Sequence, residues 1–416
     1  MNDINILRNS PLFDAAYYLE HNQDVLQAQV DPVVHFLEFG AKEGRNPSKK
    51  FSIAHYKKFL NRRHIQLDDE NPLLHFINNR EKLYASAPFS LTEDGLFLEM
   101  ELAPGSFVRE RSIINAAFNS RTKHLQLSQL TADYYNKLSI HHHSFIYECC
   151  LLSSSTKKLY VFLSAYGVHR SYPSFMRKTY SSIFDGYCLY IDDPTRQINF
   201  AQKAICFYYG TRDDSVINGI SDIIKKICDI YNIEYNNITF ISSSNGAFAS
   251  ICIACMFKDA KCIALCPQIS VYQYYKYENK LDYFNTVFNK VSGISKQNND
   301  NAQSEIFRFN LLPLLQNNVL QSKIFLFSNV YSPSDCIQMR YMQKNMNLKL
   351  QLGLNVITNN LFIFLAAIDN TNPHLAQPME SFCKIADLFL DGRIDTEDAI
   401  SLFNANIAEL SRYYHV

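Results

Sequence analysis

The chain has 416 residues, 47% of them hydrophobic, with 26 Tyr, 30 Phe, no Trp, and 40 Lys and Arg against 40 Asp and Glu. At about 100–200 residues per domain this length suggests about two domains, and zero formal charge lacks the basic footprint of a chain that neutralises many phosphates, so no nucleic acid is expected as a partner. No window reaches the roughly 18 uncharged apolar residues of a transmembrane segment, and MNDINILRNSPLFDAAYY is not a basic-then-apolar leader, so an unexported chain is expected.

The first 90 residues read as a helical repeat used twice, over about 13–50 and 51–88. Phe13 and Tyr18 recur as Phe51 and Tyr56; Pro32, His35 and Phe36 recur as Pro72, His75 and Phe76, with a short insertion near Leu67 to Asp69. Each copy is an amphipathic helix followed by Asp-Pro or Asn-Pro, where proline suits the first turn of a second helix. His35 and His75 are expected to pack or cap rather than to ligate.

Residues 91–416 change to short apolar strands alternating with helices: LFLEMEL (96–102), SFIYECCLL (144–152), LYVFLS (159–164), YCLYID (187–192), ITFISS (238–243), CIALCP (262–267), KIFLFS (323–328) and LFIFLAA (361–367). Near-continuous apolar runs suit a parallel sheet covered on both faces, and helices are expected over 215–232, 246–259 and 337–351 and in two closing segments. This predicts an α/β fold with a mainly parallel sheet flanked by helices, preceded by a small all-helical repeat domain. An insertion is expected at about 276–320, with 292–305 its polar loop. The 11 cysteines lie mostly in apolar runs, which predicts buried, reduced thiols and a cytoplasmic location, free or peripheral to the inner membrane.

ITFISSSNGAFAS runs a strand into small residues and then a helix. This approximates the G-x-S-x-G elbow that presents a serine hydroxyl at the carboxyl edge of a sheet, with Ser244 at its centre and Ser242 where the first glycine stands. The bland alternative is a serine N-cap. Asp335 follows the strand KIFLFS and His374 the strand LFIFLAA, giving the order Ser, Asp, His; a serine needs an imidazole to take its proton, and the imidazole a carboxylate to hold its tautomer. Asp335 also fits a helix cap, His374 a surface loop, and Asp369 is the rival acid. An oxyanion hole would draw on the backbone N–H of Asn245 and on those of Tyr166 and Gly167 after LYVFLS. His169, Arg170, Arg177 and Lys178 could hold an anionic acceptor or a CoA phosphate, or be a solvated basic loop. Cys252 and Cys255 have C-x-x-C spacing without a second ligand pair, and strand alternation would split His141, His142 and His143 between two faces, so no metal is expected.

FDAAYYLEHNQDV and DPVVHFLEFGAKEGRNPS resemble the short helical repeat found beside bacterial glycosyltransferase and surface-polysaccharide modules. The remainder resembles an α/β-hydrolase family of capsular polysaccharide biosynthesis, through FYYGTRDD, YIDDPT (190–195), SSSNGAFAS, CPQISVYQYY (266–275), Asp335 and His374. It is similar in layout to bacterial polysialic acid and capsule O-acetyltransferases. The resemblance implies a Ser-His-Asp acyl-enzyme, acetyl-CoA as donor, a capsular polysaccharide or oligosaccharide as acceptor, and repeats that meet a capsule polymerase or glycosyltransferase. A carbohydrate esterase or deacetylase with the same triad and a non-catalytic assembly factor are the alternative readings.

Overall fold

A computed structural model describes residues 3–48, 51–62, 66–67, 70–86, 90–91, 97–98, 111–133, 136–165, 172–197, 206–211, 213–278, 309–316, 320–369, 374 and 380–414. The chain divides into two compact units. One comprises 1–108, 379–385 and 396–412, the other 109–378, 386–395 and 413–416. The division therefore falls later than residue 90, and segments of both closing helices belong to the first unit.

In the first unit, Asp14 caps helix α1 (Ala15–His21) and Asp31 caps α2 (Pro32–His35); the second copy has α3 (Ile53–Arg62) and α4 (Pro72–Ser86), where the N–H groups of Leu73 and Leu74 donate to Asn71 Oδ1. The recurring histidines pair with the recurring tyrosines. His35 Nδ1 lies 3.0 Å from Tyr18 Oη, and His75 Nδ1 lies 2.5 Å from Tyr56 Oη. Each pair adjoins a buried phenylalanine cluster, Phe13 and Phe36 in one copy and Phe51 and Phe76 in the other.

The second unit is built on a ten-stranded sheet. In chain order its strands are β1 (Lys123–Gln126), β2 (Asn136–His142), β3 (Phe145–Leu152), β4 (Leu159–Leu163), β5 (Tyr187–Ile191), β6 (Ile238–Ser243), β7 (Lys261–Leu265), β8 (Lys323–Asn329), β9 (Gly353–Thr358) and β10 (Leu361–Ala366). Their order across the sheet is β9-β10-β8-β7-β6-β4-β5-β3-β2-β1, and β5, β4, β6, β7, β8 and β10 run parallel. The central strands β4, β6 and β7 are buried along their whole length, β4 as an unbroken apolar run and β6 and β7 with Thr239, Ser242, Ser243 and Lys261 among their buried positions. Helix α5 (Val216–Tyr231) buries Ile217, Ile220, Ile224 and Ile227 at helical spacing, whereas α6 (Ser244–Ala254) is buried nearly all round. This is the α/β-hydrolase-like arrangement expected.

The structure departs from the expected elements in three ways. LFLEMEL does not join the large sheet: its described part, Phe97–Leu98, pairs with Ser90–Leu91 in a separate ladder. Strands β1, β2 and β9 lie at the sheet margins, where polar residues interrupt the apolar pattern. The helix expected over 337–351 begins at Pro333, capped by Ser332, and ends at Met346, so α7 is Pro333–Met346. Most of the expected insertion lies outside the described residues.

Candidate active site

The functional candidates follow the carboxyl ends of the parallel strands, the edge at which open α/β sheets place their ligands. Strand β6 turns into α6 at Ser244, which takes φ +52°, a left-handed conformation worth about 1–3 kcal/mol of strain for a non-glycine residue. The N-cap is Ser243, and its side chain makes no capping bond. Ser244 therefore sits inside the elbow rather than capping the helix. Gly246 makes the turn possible, because a Cβ there would stand 2.7 Å from the Leu163 carbonyl oxygen and 3.0 Å from that of Ser164.

Ser242 has a local reason to replace the first glycine of the pattern. The ladder between β4 and β6 ends at Val161 and Phe240. Beyond it, the Leu163 N–H donates to Ser242 Oγ at 2.9 Å, and the Ser250 hydroxyl donates to the same atom at 2.8 Å. The serine side chain thus supplies an acceptor where the strands part.

Asp335 stands in the first turn of α7, buried, with its own N–H held by the Ser332 side chain. Its carboxylate faces His374: Oδ1 lies 2.7 Å from Nδ1, and Oδ2 accepts the Asn329 N–H at 3.4 Å. A carboxylate only accepts, so the proton of that short bond belongs to Nδ1 and leaves Nε2 as an acceptor. Nε2 lies 3.3 Å from Ser244 Oγ. The structure thus brings Ser244, His374 and Asp335 into one hydrogen-bonded chain, and the rival Asp369 is exposed.

Further residues at this edge carry no sign of a site role in the sequence. Gln268, after β7, is 2% exposed and places Nε2 3.2 Å and Oε1 3.3 Å from Ser244 Oγ. Its loop is held by Gln338 of α7, whose Oε1 accepts the N–H groups of Ile269 and Ser270. Asn329, at the end of β8, donates to the Ile368 carbonyl at 2.8 Å and accepts the Ile368 N–H at 3.0 Å. That two-way clip ties the acid's loop to the segment leading toward His374. Cys266, at φ +47°, lies beside Asp335; burial pushes its thiol well up, and the Asp335 charge adds to this.

The loop after β4 is tethered at both ends of 165–173. Ser164 Oγ donates to the Ser174 carbonyl, and the Tyr208 hydroxyl donates to the Ser164 carbonyl at 2.9 Å. The Ser174 N–H and Arg196 donate to the buried Asp192 at 2.7 and 2.9 Å. Beside it Asp193 accepts the N–H groups of Thr195 and Tyr208, and burial raises its carboxyl to about 6. Among the oxyanion candidates, Asn245 is buried in the first turn of α6, where the helix dipole favours negative charge. The neighbouring Ala165 N–H donates to Met176 Sδ at 3.2 Å. Tyr166, Gly167, His169 and Arg170 lie outside the described residues. Arg177 is half-buried against the Tyr180 ring, 4.9 Å from its centroid, whereas Lys178 is exposed, with its Nζ 4.6 Å over the Phe118 ring, so only Arg177 departs from the solvated loop cation expected.

The described cysteines are free thiols, Cys252 and Cys255 among them. Among the described residues no helix is long and apolar enough to cross a membrane.

An α/β-hydrolase-like sheet carrying a serine, histidine and aspartate constellation at its carboxyl edge defines the class of structure. No protein-family model and no curated protein matches the chain. Solved structures similar to it include a mutant of the capsule O-acetyltransferase of Neisseria meningitidis serogroup A in complex with CoA, 15% identical over 60% of this chain and 95% of that one, with a TM-score of 0.41. Others are a Pyrococcus furiosus esterase, 16% identical over 56% of this chain and 81% of that one at a TM-score of 0.35, and a glycosylation-associated protein complex from Streptococcus agalactiae, 12% identical over 61% and 45% at 0.40. The functional reading therefore rests on the site itself.

Proposed function

We propose that the chain is a serine-dependent O-acetyltransferase that moves an acetyl group from acetyl-CoA to a hydroxyl of a bacterial capsular or surface polysaccharide. The observation that carries the reading is Ser244 in a strained left-handed turn, 3.3 Å from an imidazole whose other nitrogen is held at 2.7 Å by a buried carboxylate. As Ser244 Oγ adds to the thioester carbonyl, His374 Nε2 takes its proton; the C–S bond then breaks and CoA leaves as the thiol carrying that proton. A sugar hydroxyl next adds to the acyl-serine, giving its proton to Nε2, and the Ser244 oxygen leaves and recovers it. Asp335 holds the tautomer and offsets the charge on the imidazolium throughout. The oxyanion would be held by the Asn245 N–H together with those of Tyr166 and Gly167, at a helix start that favours negative charge. His169, Arg170 and Arg177 are the candidates for the anionic parts of donor or acceptor, and the N-terminal repeats for docking a capsule polymerase or glycosyltransferase.

Partial exposure of Ser244 and His374 favours a second reading, an esterase in which water discharges the acyl-enzyme. Incubation with acetyl-CoA, with and without candidate glycans, followed by mass spectrometry, separates the two. A single acetyl on Ser244 that moves to sugar supports the transferase, discharge to water alone supports the esterase, and turnover undiminished in Ser244→Ala would overturn both.

A further inference from the structure

The histidine run at 141–143 plays no part in the site above. In a regular strand, alternation would send His142 and His143 to opposite faces. Here His143 leaves β2 at φ +52° in the turn to β3, and the two rings lie side by side with centroids 3.9 Å apart. Both direct Nε2 at one oxygen, Oδ2 of Asp222 on helix α5, at 3.1 Å from His142 and 3.9 Å from His143. One ligand atom from each of the three residues lies within 4.8 Å of the other two. Four ligands at about 2.0–2.1 Å around a tetrahedral ion stand about 3.3 Å from one another, which falls between the two measured separations.

A hydrogen bond to Asp222 accounts for His142 without any ion. It does not account for His143, whose nitrogen lies beyond hydrogen-bond reach of that oxygen and whose backbone takes a conformation that non-glycine residues rarely adopt. Lys225 holds the other carboxylate oxygen, Oδ1, at 3.3 Å, leaving Oδ2 turned to the imidazoles. The frame is anchored independently, since the Ser144 N–H in the same turn donates to Asp214 Oδ2 at 2.6 Å.

We propose that His142, His143 and Asp222 form a binding site for a divalent transition-metal ion, with two imidazoles, one carboxylate and a fourth position open to water. Borderline nitrogen ligands with one oxygen suit Zn2+ better than Ca2+ or Mg2+. The ion would staple the β2–β3 turn to helix α5, a role separate from the chemistry at Ser244.

The test uses the full chain stripped with a chelator and titrated with Zn2+ alone by calorimetry, and with Co2+ alone by the visible absorption of a tetrahedral site. The expected result is a saturating equivalent that persists in His374→Ala and weakens at least about tenfold in His143→Gly and in Asp222→Asn. Glycine suits the left-handed turn, so His143→Gly should leave the metal-free protein at least as stable to heat while removing the rise in Tm that Zn2+ produces. Absence of saturable binding, binding undiminished in His143→Gly, or binding lost in His374→Ala would overturn the proposal; the last would place the ion at Cys266, Asp335 and His374 instead.

Discussion

Replacing Ser242 by glycine restores the small residue of the elbow pattern, yet its surroundings predict a loss. Ser242 is fully buried, and its hydroxyl oxygen accepts both the Leu163 N–H and the Ser250 hydroxyl. Removing it strands a buried backbone donor, which costs about 1–3 kcal/mol, and takes one partner from Ser250. Glycine in a strand interior adds roughly 0.5–1 kcal/mol through the entropy of the unfolded chain. The expected destabilisation is about 2–4 kcal/mol, on the order of 10 °C in the transition of the α/β unit. Ser250→Ala removes only one of the two bonds and leaves the Leu163 N–H satisfied, so it should cost less than half as much. With no Trp in the chain, tyrosine near-ultraviolet circular dichroism during urea unfolding is the suitable probe. A Ser242→Gly protein as stable as the parent would refute the account of the parting strands and return Ser242 to being a neutral variant of the motif.

Asp335→Asn keeps the size of the acid but lets the imidazole adopt the wrong tautomer, so kcat for acyl transfer should fall by about 10^4 with the fold intact; a loss under about tenfold would argue that Asp335 only orders its helix. Asn329→Ala removes the clip to both backbone groups of Ile368, and should lower kcat more than it raises KM, measured by initial rates with acetyl-CoA varied. Asp193 governs a pH effect. Its folded carboxyl titrates at about 6 against about 4 when unfolded, so the native state binds the extra proton and stability falls as pH rises between those values, by up to about 3 kcal/mol. Asp193→Asn should flatten that slope in denaturation curves taken from pH 4 to pH 6, and an unchanged slope would assign the effect elsewhere.

The layer architecture was legible because burial leaves a coarse imprint: strands covered on both faces are predominantly apolar, throughout in β4 and over most of β7, while β6 opens on the apolar-rich Ile238–Ile241 before its serines. Chain order then placed Ser244, Asp335 and His374 after parallel strands, and parallel strands share one carboxyl edge. Margins were less legible. Strand β9 alternates buried and exposed positions over a short span, and its pairing with β10 depends on a partner that follows it in the chain. The later division of the two units has the same origin, since no local pattern in the closing helices says which core they serve.

Gln268, Asn329 and the bonding role of Ser242 share a deeper reason for escaping notice. Each acts through backbone groups or hydroxyls far away in sequence, and a neutral amide or hydroxyl carries no local signature of such a role. Chemistry-bearing side chains announce a reaction by their type; the groups that aim them do so only by position. The histidine run shows the converse. Its residue types suggested ligands, but strand periodicity divided them, and only the left-handed turn at His143 together with Asp222, from a helix some distance along the chain, turns them toward a common point. Periodicity is a rule for residues inside an element, and here the site begins where the element ends.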